Sequence, residues 1–373
     1  MLKAFSELQV LELATVLAGP AVGQFLAELG ADVWKIEPPT GDVTRSWRTQ
    51  NEAPDKDPAS YFSSVNWGKR NICLDLKNEE ERKQLFRALE QTDVLIVNYR
   101  PGADARLGLS YKQLKMQFPA LIYASISGYG SSSDRAGYDA VIQAESGFMY
   151  LNREPDGKPQ KMPVALMDLL AAHQLKQAIL WALYQRGIDG KGRAVSVSLI
   201  EAGVSALANQ ASAYLFSGEE PQPMGSEHPT VYPYGTLFGT SDGVQLLLAI
   251  GSDRQFSAFC TRLGVPELAA DDRFATNTAR VRNRRELHQH LQTAIQTQDS
   301  VSLLDWCHAH AVPAGRVRCI SEALNDPSVQ ALWFSNGRGL RTAAFLPATD
   351  RVDLNEPAQA GAHRSQWLQL FGA

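Results

Sequence analysis

Leu8-Gln9-Val10-Leu11-Glu12-Leu13 and Ala31-Asp32-Val33-Trp34-Lys35-Ile36-Glu37 are two short apolar runs with one helical stretch, Pro20 to Leu29, between them. Gly30 closes that helix, as a residue free to take positive φ does at a helix C-terminus. A strand, a helix and a strand in this order form one crossover unit of a parallel sheet. The pattern continues outward. Asn71 to Leu76 reads as a strand, Asn78 to Gln91 as a charged amphipathic helix, Asp93 to Val97 as a strand, and Leu121 to Ile126 as another. Apolar runs of this length alternating with helices predict a parallel sheet covered on both faces, a doubly wound, Rossmann-like α/β fold.

Further along, Asp168 to Arg186 reads as the longest helix, with Leu175, Ile179, Ala182 and Leu183 on one stripe and Gly187 and Gly190 closing it. Ala194 to Leu199 alternates like a strand. From Ser217 to Pro233 the texture turns to Gly, Pro and polar residues. A separate α+β unit then begins with strands around the Ser241-Asp242-Gly243 turn, and its helices include the basic cluster Arg280, Arg282, Arg284 and Arg285. The domain reading is a large α/β domain over 1–200 plus 330–373, a linker over 201–233, and a small α+β domain over 234–325.

Composition sets the broad class. The 373 residues are 44% hydrophobic and 20% charged, with net charge −4 and pI near 6.0. That is an ordinary globular balance, without the basic excess of a nucleic-acid binder or a membrane-surface protein. No apolar stretch reaches bilayer length and the first residues lack a signal-peptide core, so the expected compartment is cytoplasmic. Cys73, Cys260, Cys307 and Cys319 are scattered and read as reduced structural thiols. His288/His290 and His308/His310 are two apart, which on a helix points them to different faces, so no metal site is expected. There is no Gly-x-x-x-x-Gly-Lys-Ser/Thr loop. Thr15-Val16-Leu17-Ala18-Gly19-Pro20 follows the first strand where a dinucleotide-binding protein carries Gly-x-Gly-x-x-Gly.

Two features carry chemistry. Asp168 lies in Met162-Pro163-Val164-Ala165-Leu166-Met167-Asp168-Leu169-Leu170-Ala171-Ala172. An unpaired carboxylate there costs several kcal/mol or shifts its pKa upward. It reads either as a helix cap or as a nucleophile in a partly desolvated cleft. Cations also recur in loops at strand ends: Lys69-Arg70, Arg100, Arg106 and Arg135. Such loops bind ligands in parallel sheets, and several cations together point to a polyanion such as a nucleotide diphosphate with a further phosphate.

These residues accumulate into a resemblance. Asn66-Trp67-Gly68-Lys69-Arg70-Asn71-Ile72-Cys73-Leu74-Asp75-Leu76-Lys77 is similar to a signature of the class III CoA-transferases, the CaiB/BaiF family. Asn98-Tyr99-Arg100-Pro101-Gly102 with Leu107-Gly108-Leu109, Ser127-Gly128-Tyr129-Gly130, Gly137-Tyr138-Asp139 with Gln143-Ala144, and Gly190-Lys191-Gly192-Arg193 match as well, in the family's order. The resemblance runs from Leu8 to about Pro327. It implies that Asp168 is the catalytic aspartate, that coenzyme A contacts Lys69, Arg70, Ile72, Asn98, Tyr99 and Arg106, that Val16 and Ala18 face the thioester, and that Tyr138 lies near the nucleophile. It implies acyl-CoA and a small carboxylic acid as substrates, no metal, and an interlocked homodimer.

Departures from the family's branches shape the expected substrate. Leu17 and Thr15 stand where formyl-CoA transferases carry Gln and His, which argues against oxalate or formate and for a larger or less polar acyl group. Acyl-CoA racemases of the same fold use a His where this chain has Tyr138. Loss of that base weakens the racemase alternative, although Glu145, Glu227 or His228 could replace it. A CoA-binding protein without turnover is the other alternative.

Overall fold

The computed structural model describes residues 5–53 and 58–372. The chain forms two compact units, one of Met1–Met149, Lys161–Glu219 and Ser328–Ala373, the other of Tyr150–Gln160 and Glu220–Pro327.

The first unit is built on six strands: β1 (Gln9–Glu12), β2 (Asp32–Glu37), β3 (Arg70–Cys73), β4 (Val94–Val97), β5 (Ile122–Ser127) and β6 (Ala194–Ser198). Their order is β3-β2-β1-β4-β5-β6, and every neighbouring pair is parallel. The order reverses between β1 and β4, where Leu11 pairs with Trp34 on one side and Leu95 on the other. Successive strand residues point to opposite faces, so each strand feeds two cores. Val10, Val33, Val94, Ile96, Ile122 and Ala124 share one. Leu11, Trp34, Ile36, Ile72, Leu95 and Tyr123 share the other.

The helices cover both faces. On the first face lie α1 (Ala18–Glu28) and a longer helix described below. On the second face lie α2 (Glu79–Leu89) and the C-terminal helix Arg364–Phe371. In α2, Asn78 caps the first turn by accepting from the Glu80 and Glu81 N–H groups, and Glu79, Glu80 and Glu81 complement the helix dipole. All of α1 is buried, and Gly23 is what permits its approach to the sheet. A Cβ there would lie 1.8 Å from Glu12 Oε2.

The further helices of this unit include α3 (Asp139–Glu145), α4 (Leu166–Asp189), α5 (Leu199–Ala206) and α6 (Ala208–Ser217). In α4, Leu175, Ile179 and Ala182 are buried as the spacing predicts. Gly187 does not end α4; it is a helical residue, and Gly190, at φ 71°, terminates it. Residues 201–217, expected as the start of a linker, are helical instead. Ser198 caps α5 through the Glu201 N–H, and a run rich in Leu, Ile and Ala propagates it.

In the second unit, β7 (Tyr234–Gly239), β8 (Gln245–Ala249) and β9 (Ala314–Arg316) form an antiparallel sheet. Phe238, Leu246, Leu248, Phe256, Phe259, Leu287, Leu291 and Leu303 form its core. The basic cluster is split by Asn283 between two helices. Arg280 is buried and donates to the Tyr232 and Phe274 carbonyls and to Asp253, so it braces the fold. His288 stacks on Phe238 and His310 on Trp306.

Candidate active site

Parallel sheets bind ligands at the carboxyl ends of their strands, in the crevice where strand order reverses. Here that crevice is a cavity of about 250 Å³ lined by the loop after β1 (Thr15 to Ala18), the segment after β4 (Asn98 to Pro101), the end of β5, Ser133, the stretch Arg135 to Asp139, and Asp168 in the first turn of α4. Asn98 joins the first two. Its Oδ1 accepts the Thr15 N–H at 3.1 Å and its Nδ2 donates to the Thr15 carbonyl at 2.8 Å. Gly128 and Gly137 bring the next two walls together backbone to backbone; a Cβ on Gly137 would lie 2.3 Å from Gly128 Cα.

Asp168 is 8% exposed. Its carboxyl is pushed up to about 7, first by burial and then by the neighbouring charge of Asp139. The α4 dipole favours the anion by about 0.3–1 kcal/mol at most surface sites, less than burial takes away. Asp168 does not cap α4. The N-cap position is Ala165, without a side-chain cap bond, and Asp139 serves the orphan donor instead: its Oδ1 accepts the Met167 N–H at 2.7 Å and its Oδ2 accepts from Gln143 Nε2 at 2.6 Å. Gln143 in turn accepts the Met162 N–H at 2.7 Å, which ties down the approach to the helix. The Tyr61 phenol is pushed up by its own burial and by Asp168, Asp139 and Asp42. A carboxylate here is poorly hydrated, has no cation paired with it among the described residues, and opens on a cleft with Arg100 and Arg135 on its walls. Those are the properties of a nucleophile whose proton comes off near neutrality.

Of the residues named from sequence, Asp168, Tyr138, Val16, Ala18, Asn98, Tyr99 and Arg135 meet at this one cavity. Tyr138 is exposed on its rim, and burial pushes the Tyr99 phenol up to about 12. Arg135 pairs with Glu145 at 2.5 Å and lies over the Tyr129 ring. Lys69, Arg70, Ile72 and Arg106 do not line it. Lys69 is buried and its Nζ donates to Glu12, Asn66 and the Pro20 carbonyl. Arg70 pairs with Asp32 at 3.3 Å and lies over Trp34. The Ile72 side chain is wholly within the core, and Arg106 is exposed at the end of the short helix Ala103–Arg106. Sequence reasoning did not single out Asp139 as the cap of α4, nor Tyr61, nor the buried ions around Glu12 and Asp42. Glu12 carried a readable signal, a charge within an apolar strand.

The chain is similar to known proteins over nearly its whole length. The model of CoA-transferase family III matches residues 5–337. Succinate–glutarate CoA-transferase of Agrobacterium fabrum is 40% identical, over 97% of this chain and 94% of its own length. Acetyl-CoA:oxalate CoA-transferase of Acetobacter aceti is 36% identical, over 88% of this chain and 84% of its own. The crystal structure of a CaiB/BaiF family protein from Brucella suis superposes with a TM-score of 0.84 at 39% identity, covering 97% of this chain and 98% of that one. The resemblance carried by the sequence motifs therefore holds over nearly the whole length, and the protein is a CoA-transferase belonging to CoA-transferase family III.

Proposed function

We propose that Asp168 carries CoA between two acids by covalent catalysis. Its carboxylate attacks the acyl-CoA thioester, forming a mixed anhydride and releasing CoA thiolate, a good leaving group because thiols ionise readily. The thiolate then attacks the aspartyl carbonyl, which releases the first carboxylate and leaves an aspartyl-CoA thioester. The acceptor carboxylate attacks that thioester to form a second anhydride. Thiolate finally attacks the acceptor's own carbonyl, giving the new acyl-CoA and regenerating Asp168. The observation that carries this reading is the buried carboxylate on the wall of the cleft, without a paired cation among the described residues, whose proton is held to about pH 7. Coenzyme A enters across the strand-end loops, and Arg100 and Arg135 on the same walls favour anionic substrates.

The acids are small dicarboxylates, a class supported by the names of the Agrobacterium and Acetobacter relatives. The apolar Leu17 on the wall favours succinate or glutarate over oxalate. A homodimer completes the protein. Trp181, Tyr184 and Ile188 lie along one side of α4 and Leu215 and Phe216 end α6, all exposed, Phe216 at 95%. Apolar surface of this kind marks an interface, and a second copy of the chain covers it.

The test is CoA exchange. Succinyl-CoA mixed with glutarate should yield glutaryl-CoA faster than the same donor with oxalate yields oxalyl-CoA. An absence of exchange with every dicarboxylate, together with deuterium uptake at the acyl α-carbon, would replace transfer by racemisation.

A further inference from the structure

Val16 holds a strained backbone at the mouth of the cleft. Its φ is 70°, in the left-handed region, and among the described residues it is the only β-branched one there. Such conformations cost free energy and persist only where the surroundings over-determine them. Three main-chain atoms in and beside this loop are gripped by buried ions, at Val16 within it, at Ala14 before it and at Pro20 in the first turn of α1. The Val16 N–H donates to Asp42 Oδ2 at 3.2 Å. The Ala14 carbonyl accepts from Lys35 Nζ at 2.8 Å, and the Pro20 carbonyl accepts from Lys69 Nζ at 2.8 Å.

The ions form one chain. Asp42 meets Lys35 at 3.1 Å, Lys35 meets Glu12 at 3.0 Å, and Glu12 meets Lys69 at 2.7 Å, with every side chain at most 2% exposed. Asp42 is aimed by further bonds. Its Oδ1 accepts from the Thr44 N–H and hydroxyl at 3.0 and 2.8 Å, and its own N–H donates to Glu37 Oε2 at 2.7 Å. Buried ion pairs are a weak source of stability compared with well-packed apolar groups of the same volume. Apolar groups could not hold an amide of the loop and a carbonyl on each side of it, which is what this chain of ions does.

We infer that Asp42 is a positioning residue: by holding Val16 in the left-handed conformation it fixes the first loop as the wall of the cleft that also carries Asp168, while Lys35, Glu12 and Lys69 anchor the loop on either side. The inference rests on the transferase reading of that cleft. It assigns the ion chain to the geometry of the reacting thioester, a misplacement of which by about 1 Å costs about 10²-fold in rate.

A double-mutant cycle on the full-length protein tests it. Asp42→Asn keeps the side chain's size and removes its charge, and Val16→Gly removes the steric cost of the left-handed region. Asp42→Asn alone should lower kcat about 10²-fold while KM for acyl-CoA changes less than about threefold. Made on top of Val16→Gly, it should lower kcat by less than about tenfold, because the loop no longer needs the tether. The thermal midpoint should show the same coupling without reference to turnover. Thr44→Val, which removes a donor aimed at Asp42 and leaves the ions paired, should give a smaller loss with the same dependence on Val16→Gly, and it serves where Asp42→Asn does not fold. Equal losses in both backgrounds, in kcat and in midpoint, overturn the assignment. A wild-type protein that transfers no CoA overturns the proposed function; the midpoint coupling then decides the tether by itself, sustained if present and overturned if absent.

Discussion

Asp168 is at odds with its surroundings, and the conflict is measurable. Asp168→Asn should lower kcat for CoA transfer by about 10³-fold or more, since no other group replaces a lost nucleophile. The same change should stabilise the protein. The carboxyl titrates near 7 in the fold against an ordinary 3.8. Ionisation is therefore penalised in the folded state, by an amount that grows as pH rises from about 4 to about 7 and is constant above. The gain from Asn should be on the order of a few kcal/mol above pH 7 and vanish toward pH 4, read from denaturant midpoints across pH. In the wild type, kcat/KM should fall on the acid side with an apparent pKa near 7. Asp139→Asn keeps an oxygen for the Met167 N–H but removes the second charge, so it should move that limb to lower pH; an unmoved limb would remove Asp139 from the electrostatics of the site. Asp168 was legible in the sequence because it breaks an apolar run. Glu12 breaks one too, in Leu11-Glu12-Leu13, but its partners Lys35 and Lys69 lie 23 and 57 positions away. Pairing at that distance is a product of the fold.

At the scale of elements, the loop after β1 and the first turn of α4 are the parts that matter most, and each is held from outside itself. Asn98 grips the loop from β4's end, and Asp139 of α3 caps α4. This is why the strands and helices could be read from the chain while the cap could not: periodicity reports which face is buried, whereas a cap supplied from α3 leaves no local mark before Leu166. The helices at 201–217 are a different case: five of these seventeen residues are alanine and one is glycine, helix-favouring content that the Gly- and Pro-rich stretch beginning at Ser217 masks. Gly23 offers a test of how closely α1 must approach. Gly23→Ala would drive a Cβ to 1.8 Å from Glu12 Oε2, displacing Glu12 from Lys69. Breaking a buried pair costs about 3–5 kcal/mol, so the urea midpoint should fall by a large fraction of total stability. A neutral outcome would mean that the Glu12–Lys69 pair is dispensable.

For the whole molecule, the parallel sheet explains why motifs scattered from Thr15 to Asp168 converge: every strand delivers its following loop to one edge, and the reversal between β1 and β4 opens the crevice there. Coverage of the apolar side of α4 and α6 belongs to the same scale. Light scattering should give a dimer, and Trp181→Ser combined with Phe216→Ser should shift it to monomer; a monomeric wild type would leave that surface without the proposed occupant. Among the described residues no helix is long and apolar enough to cross a membrane. Covalent acylation and then thioesterification of Asp168 during turnover is the step on which the proposed transfer depends. Incubation with succinyl-CoA, quenching with hydroxylamine and mapping by mass spectrometry should find a hydroxamate at Asp168 and none in Asp168→Asn. Turnover with Asp168 unmodified would contradict it.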